Sequence, residues 1–92
     1  LRKGKTLSLT VISDEKRPNL FVRVNNQVVD NFLDGPVVLS VYEQDYLEID
    51  ARQWTKPVRL RLKTEPGILL PLGDVELMVD GDTLAIGQVR LK

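Results

Sequence analysis

The sequence predicts an all-β fold: an antiparallel β-sandwich, immunoglobulin-like or closed as a small Greek-key barrel, with about eight short strands and no helix. Three observations carry this. Pro57 to Thr64 alternates strictly, with Val58, Leu60 and Leu62 on one side and Arg59, Arg61 and Lys63 on the other. That period of two is the mark of a strand with one face on a core and one in water. Turn signals recur every 8–12 residues or so along the chain, as small sandwiches require. Finally, the chain has 92 residues, so it is expected to be one domain, with a core one layer thick between two sheets or inside a barrel.

The elements follow in order. Leu1 to Gly4 is a basic lead-in, and Lys5 to Ser13 alternates as a first strand, with Leu7, Leu9 and Val11 on its apolar side. Asp14 to Asn19 is a charged loop containing Pro18, which cannot donate to a ladder. Leu20 to Val24 and Val28 to Leu33 form a hairpin across Asn25-Asn26, since Asn tolerates the positive φ of tight turns. A four-residue loop there pairs Val24 with Val29, Arg23 with Asp30 and Phe21 with Phe32. Those pairs are better than the Val24–Gln27 and Phe21–Asp30 pairs of a two-residue loop.

Asp34-Gly35-Pro36 is a break. Val37 to Tyr42 and Tyr46 to Ala51 then read as a second hairpin, pairing Tyr42 with Tyr46, Val41 with Leu47 and Leu39 with Ile49. Arg52 to Lys56 is a loop holding the only Trp. After the Val58 strand comes an apolar connection bracketed by Pro and Gly, Glu65 to Gly73. Val75, Leu77 and Val79 alternate into a Gly81-Asp82 turn, with Leu84 and Ile86 pairing back onto them. The apolar parity flips at Gly87 to Val89 and Leu91, which reads as a β-bulge. The cysteine pair and mid-strand Trp of immunoglobulin domains are absent, so an architecture is predicted and a family is not.

Composition narrows the function classes. Thirteen basic and thirteen acidic residues cancel. Nucleic-acid binding, which rests on an excess of Lys and Arg, is therefore not expected, and nor is electrostatic attachment to an anionic membrane. No run reaches the roughly 18–20 apolar residues of a membrane-spanning helix, so no direct membrane insertion is expected. The chain has no Cys and no His. That removes disulfides, thiolate metal sites, Ser-His-Asp and Cys-His arrangements, and most zinc sites. No cofactor is expected. Leu1 stands where an initiating Met would, which points to a piece excised from a longer protein. The compartment stays open, with a lean to an extracytoplasmic bacterial setting from the cysteine-free sandwich character.

Three stretches merit a functional reading. Arg59, Arg61 and Lys63, with Arg52 and Lys56 nearby, are either a surface for an anion or acidic partner or simply a solvated strand face; charge on an edge strand would also block edge-to-edge pairing. Trp54, flanked by Arg52, Gln53 and Lys56, either stacks on a sugar ring or anchors a partner, or plugs the end of the sandwich. Ile68, Leu69, Leu70 and Leu72 either fold back over the core or dock onto another domain or subunit. Asp80-Gly81-Asp82, with Asp74, lacks the further carboxylates of a calcium loop and is read as a turn.

Val75-Glu76-Leu77-Met78-Val79-Asp80-Gly81, followed by Ala85, Gly87 and Val89, resembles the closing strand pair of SpoA-type domains. The resemblance spans about 15 residues, and the strands upstream depart from that family's pattern. SpoA-type domains belong to flagellar-switch and type III secretion scaffolds, where they form intertwined β dimers. The resemblance therefore implies an assembly module.

The expectation is a non-catalytic module of a larger protein, serving protein–protein assembly or acting as a spacer. Its partners would be other domains of the parent chain or another protein, with homo-oligomer formation open. The alternative is a carbohydrate- or polyanion-binding module using Trp54 and the Arg59/Arg61/Lys63 face. No set of general acid, base and nucleophile is apparent, so an enzyme is not expected.

Overall fold

A computed structural model describes residues 4–12, 17–33, 35–54, 56–71 and 76–92, with 17 and 18 as backbone alone. Residues 1–3 of the lead-in, Ser13, residues 14–16 of the charged loop, Asp34, Thr55, Leu72, Gly73, Asp74 and Val75 lie outside that set. The described chain is all-β with no helix. Its ten strands are β1 (Lys5–Val11), β2 (Arg17–Val24), β3 (Gln27–Phe32), β4 (Val37–Val41), β5 (Tyr46–Asp50), β6 (Val58–Thr64), β7 (Ile68–Leu69), β8 (Glu76–Val79), β9 (Thr83–Gln88) and β10 (Arg90–Leu91). Strand β2 begins at Arg17, inside the stretch read from sequence as a loop.

Two four-stranded sheets form the sandwich, of order β4-β1-β6-β8 (sheet A) and β3-β2-β5-β9 (sheet B), and β7 and β10 pair as a small third sheet. Every pairing is antiparallel. Beyond the eight strands expected, β7 comes from the apolar connection and β10 from the split of the last strand at Val89.

The inward rows of the two sheets meet in a single core. Leu9, Leu60 and Leu62 of sheet A and Leu20, Leu47 and Ile49 of sheet B are almost fully buried. Each such side chain contributes about 1.5–3 kcal/mol from burial alone. Strand β6 carries the expected alternation, with Val58, Leu60 and Leu62 buried and Arg59, Arg61 and Lys63 exposed. It is an interior strand between β1 and β8, so its charges do not protect an edge.

Two of the expected hairpins are arches instead. Strand β4 pairs with β1, and β5 pairs with β2 and β9, so the proposed Tyr42–Tyr46 and Val41–Leu47 pairs do not form. Likewise β8 pairs with β6 and β9 with β5, so Leu84 and Ile86 do not return onto Val79 and Leu77. The physical reason is shared. Alternation says that one face of a strand is buried, and an arch buries that face from the opposite sheet as well as a hairpin does from the same one.

The first arch is held by Asp45, which is buried. Its carboxylate accepts from the Tyr42 N–H at 2.9 Å and from Asn25 Nδ2 at 3.1 Å. The main chain on either side exchanges bonds with Val89: Gln44 N–H donates to Val89 O at 2.8 Å, and Val89 N–H to Asp45 O at 2.7 Å. A carboxylate with this many donors is satisfied without a paired strand.

The β2–β3 hairpin does form, but through the two-residue turn. Asn25 and Asn26 both have positive φ (53° and 68°), the combination that matches strand twist in such turns. Val24 pairs with Gln27 and Arg23 with Val28, after which the register jumps to Val22 with Asp30 and Phe21 with Asn31. Val29 is the extra residue of a β-bulge, and this register reset is why the longer loop is not needed. The expected bulge near Gly87 is present. Leu47 pairs with Gly87 and Glu48 with Ala85, leaving Ile86 extra. Gly87 has φ of 120°, and a Cβ there would sit 2.8 Å from Pro71 Cδ, so only glycine fits.

Candidate functional site

The cationic row of β6 lies on the outer face of sheet A, beside the hydroxyl row of β1. Thr10 is opposite Arg61 and Ser8 is opposite Lys63. On the other side, Glu76 of β8 takes both arginines. Arg59 Nη2 lies 3.0 Å from Glu76 Oε2 and Arg61 Nη2 lies 3.1 Å from Oε1. Hydrogen bonds from Arg61, then Arg59, hold the Glu76 carboxyl below its ordinary range. Lys63 borders an open depression of about 330 Å³ shared with Thr6, Ser8, Thr64 and Glu65.

Trp54 does not join this row. It is half-buried and packs against the core between the sheets. Its indole nitrogen is shielded from solvent, and its backbone N–H donates to Ala51 O at 2.9 Å. Arg52 and Gln53 beside it are exposed.

The apolar connection divides its residues between core and surface. Ile68 is buried in the core, Leu70 packs half-buried against it, and Leu69 stands exposed; Leu72 is outside the described residues. The alternation follows from β7, where Ile68 pairs with Leu91 and Leu69 with Arg90. Leu69, Leu70 and Pro71 line an open groove of about 350 Å³ with Gln88 and Arg90.

Two features escape the sequence reading. The first is an ion cluster on the outer face of sheet B. Asp50 is only 7% exposed at its side chain, yet alternation points it away from the core. Arg23 Nη2 donates to its Oδ2 at 2.9 Å, and Arg52 donates from Nη2 to Oδ2 at 2.8 Å and from Nε to Oδ1 at 3.0 Å. The Asp50 carboxyl is drawn down to about 2, chiefly by the Arg52 side-chain bonds, with the Arg52 backbone N–H and the two positive charges adding and burial opposing.

The second is the side of the sandwich formed by edge strands β3 and β4 and their connection. Val28, Val29, Leu33 and Val38 are 53%, 49%, 41% and 62% exposed. The signal in the sequence is the adjacent pairs Val28-Val29 and Val37-Val38. In a strand two neighbours face opposite ways, so one of each pair cannot reach the core.

The strand pair behind the SpoA resemblance is not a pair, since β8 and β9 belong to different sheets. Among the described residues, no group of three or more Asp or Glu is placed to hold a metal ion. Comparison of the chain with protein-family models, with curated proteins and with solved structures finds no match in any of the three.

Proposed function

We propose that this domain is a non-catalytic β-sandwich module whose role is protein–protein assembly. The observation that carries the reading is the β3–β4 side, where four aliphatic side chains stay exposed on two edge strands and their connection. Val38 stands opposite Ser8 on the outer face of sheet A and Val28 opposite Arg23 on that of sheet B, so a partner that covers them grips the β3–β4 edge from both faces. Leu69 on the β7–β10 end is a further exposed contact of the same kind.

The carbohydrate or polyanion reading draws support from the depression beside Lys63. It is weakened by Trp54, which packs on the core, and by Glu76, which occupies Arg59 and Arg61.

A photo-cross-linking residue at position 33, in the protein expressed in its source cells, tests assembly. The expected result is a cross-linked product of discrete mass that disappears when Val28, Val29 and Val38 are all changed to Thr. A chain that cross-links to nothing at this position counts against the reading.

A further inference from the structure

We infer that β4 is a strand-pairing site for a second copy of this chain, joined antiparallel about a two-fold axis at Leu39. The inference deepens the assembly reading above and rests on it. The two sheets end in four outer strands, β4 and β8 in sheet A and β3 and β9 in sheet B. An outer strand presents unpaired N–H and C=O groups, and proteins blunt such edges with bulges, charges, prolines or short length.

Three of the four are blunted. Strand β3 is bulged at Val29 and carries Asp30. Strand β9 is bulged at Ile86, with Gly87 at positive φ and Pro71 packed against it. Strand β8 carries the ion-paired Glu76. Strand β4 is short, at five residues, but carries none of the other devices. Val37-Val38-Leu39-Ser40-Val41 contains no charge, Pro or Gly, and it keeps an unbroken register with β1 from Lys5↔Val41 to Leu9↔Val37. Val38 is the most exposed of the large hydrophobic side chains described.

The occupant follows from symmetry and charge. A two-fold axis at Leu39 sets Val38 against Ser40 of the second copy and Val37 against Val41 of the second copy. Apolar stays on the core side, and no like charges meet. The two copies of sheet A then run on as one eight-stranded sheet. A strand pair this short buries less than the roughly 800 Å² per partner of a standard interface. The expected association is therefore reversible and on the order of micromolar.

Sedimentation equilibrium of the 92-residue chain from about 1 to about 500 µM tests this. The wild type and Met78→Lys, which places the same charge on the β8 edge, are expected to dimerise alike. Val38→Lys is expected to weaken dimerisation at least about tenfold, because two lysines then sit diagonally across the axis. Hydrogen exchange of the wild type gives a second readout: amides of residues 37–41 should gain protection as concentration rises. A chain that stays monomeric, a dimer indifferent to Val38→Lys, or unchanged protection of β4 overturns the proposal. If position 33 cross-links to a different polypeptide while the chain itself stays monomeric, the assembly reading stands and the second copy is rejected.

Discussion

Two carboxylates in this molecule are each gripped by two arginines, and they differ in depth and in the number of donors they accept. Glu76 takes Arg59 and Arg61 on the outer face of sheet A, with 47% of its side chain exposed. Asp50 takes Arg23 and Arg52 on the outer face of sheet B, with 7% exposed. The bond lengths are close, 3.0–3.1 Å against 2.8–2.9 Å. Depth and donor number together decide what the bonds are worth. Water and salt screen the Glu76 cluster, and ordering long side chains offsets its attraction. The Asp50 carboxylate is shielded, and the Arg23 side chain that bonds it is only 29% exposed. Ion pairs that look alike in a list of distances are thus a stabilising element in one sheet and a surface decoration in the other.

The comparison breaks most sharply at Asp50→Ala. Removing the carboxylate breaks the side-chain bonds from Arg23 and Arg52, and the expected loss is about 3 kcal/mol in urea unfolding. A loss well under about 1 kcal/mol would put Asp50 in the same class as an exposed pair.

Acid separates the clusters next. The Asp50 carboxyl titrates near 2 in the folded protein, against 3.8 as its ordinary value. A depressed folded value means that the unfolded chain binds the proton first. The stabilisation is therefore complete above about pH 5 and is lost as pH falls through 4 towards 2, by about 2 kcal/mol in all. Asp50→Asn should lack this limb, and the difference between the two unfolding profiles from pH 6 to pH 2.5 measures it.

The smallest effect is expected at Glu76→Gln. Its urea midpoint should stay within experimental scatter of the wild type in 0.5 M salt, with any difference appearing only at low ionic strength. A large, salt-insensitive loss would show that exposure is a poor guide to the worth of these pairs.

Much of the fold was legible because the hydrophobic period is local. Val58 to Lys63 reads as a strand from its own residues, and Gly87 reads as a bulge from the parity change around it. What alternation does not encode is the partner. Val41 and Leu47 are buried whether their strands pair with one another or face across the core, and the deciding residue, Asp45, looks like any turn acid until Asn25 and Val89 are brought to it. Scoring cross-strand pairs favoured Arg23 with Asp30, since such scoring has no knowledge of an extra residue at Val29.

The candidate sites show the same limit. Ile68 and Leu69 are equally apolar in the sequence, and only the β7–β10 pairing sends one inward and the other out. Asp50 was invisible because an outward-pointing acid is normally wet, and nothing nearby in sequence shows that Arg23 lies against it. The exposed β3–β4 side carries a signal in its doubled valines, Val28-Val29 and Val37-Val38.

Among the described strands, β2 and β3 are the only consecutive pair that bond to each other directly; β1, β4, β5, β6, β8 and β9 all find partners across an intervening strand or more. Such wiring places the molecule among slow folders, because distant segments must meet before any sheet is complete. During synthesis β1 has no partner until β4 has emerged, and β6 completes the middle of sheet A only some twenty residues after that. The nascent chain therefore passes through a period in which the β2–β3 hairpin stands nearly alone and several apolar strands wait. In that interval the uncharged β4 is open to whatever strand arrives first, its own β1 or a neighbour's, and crowding on the ribosome becomes a variable in which structure forms.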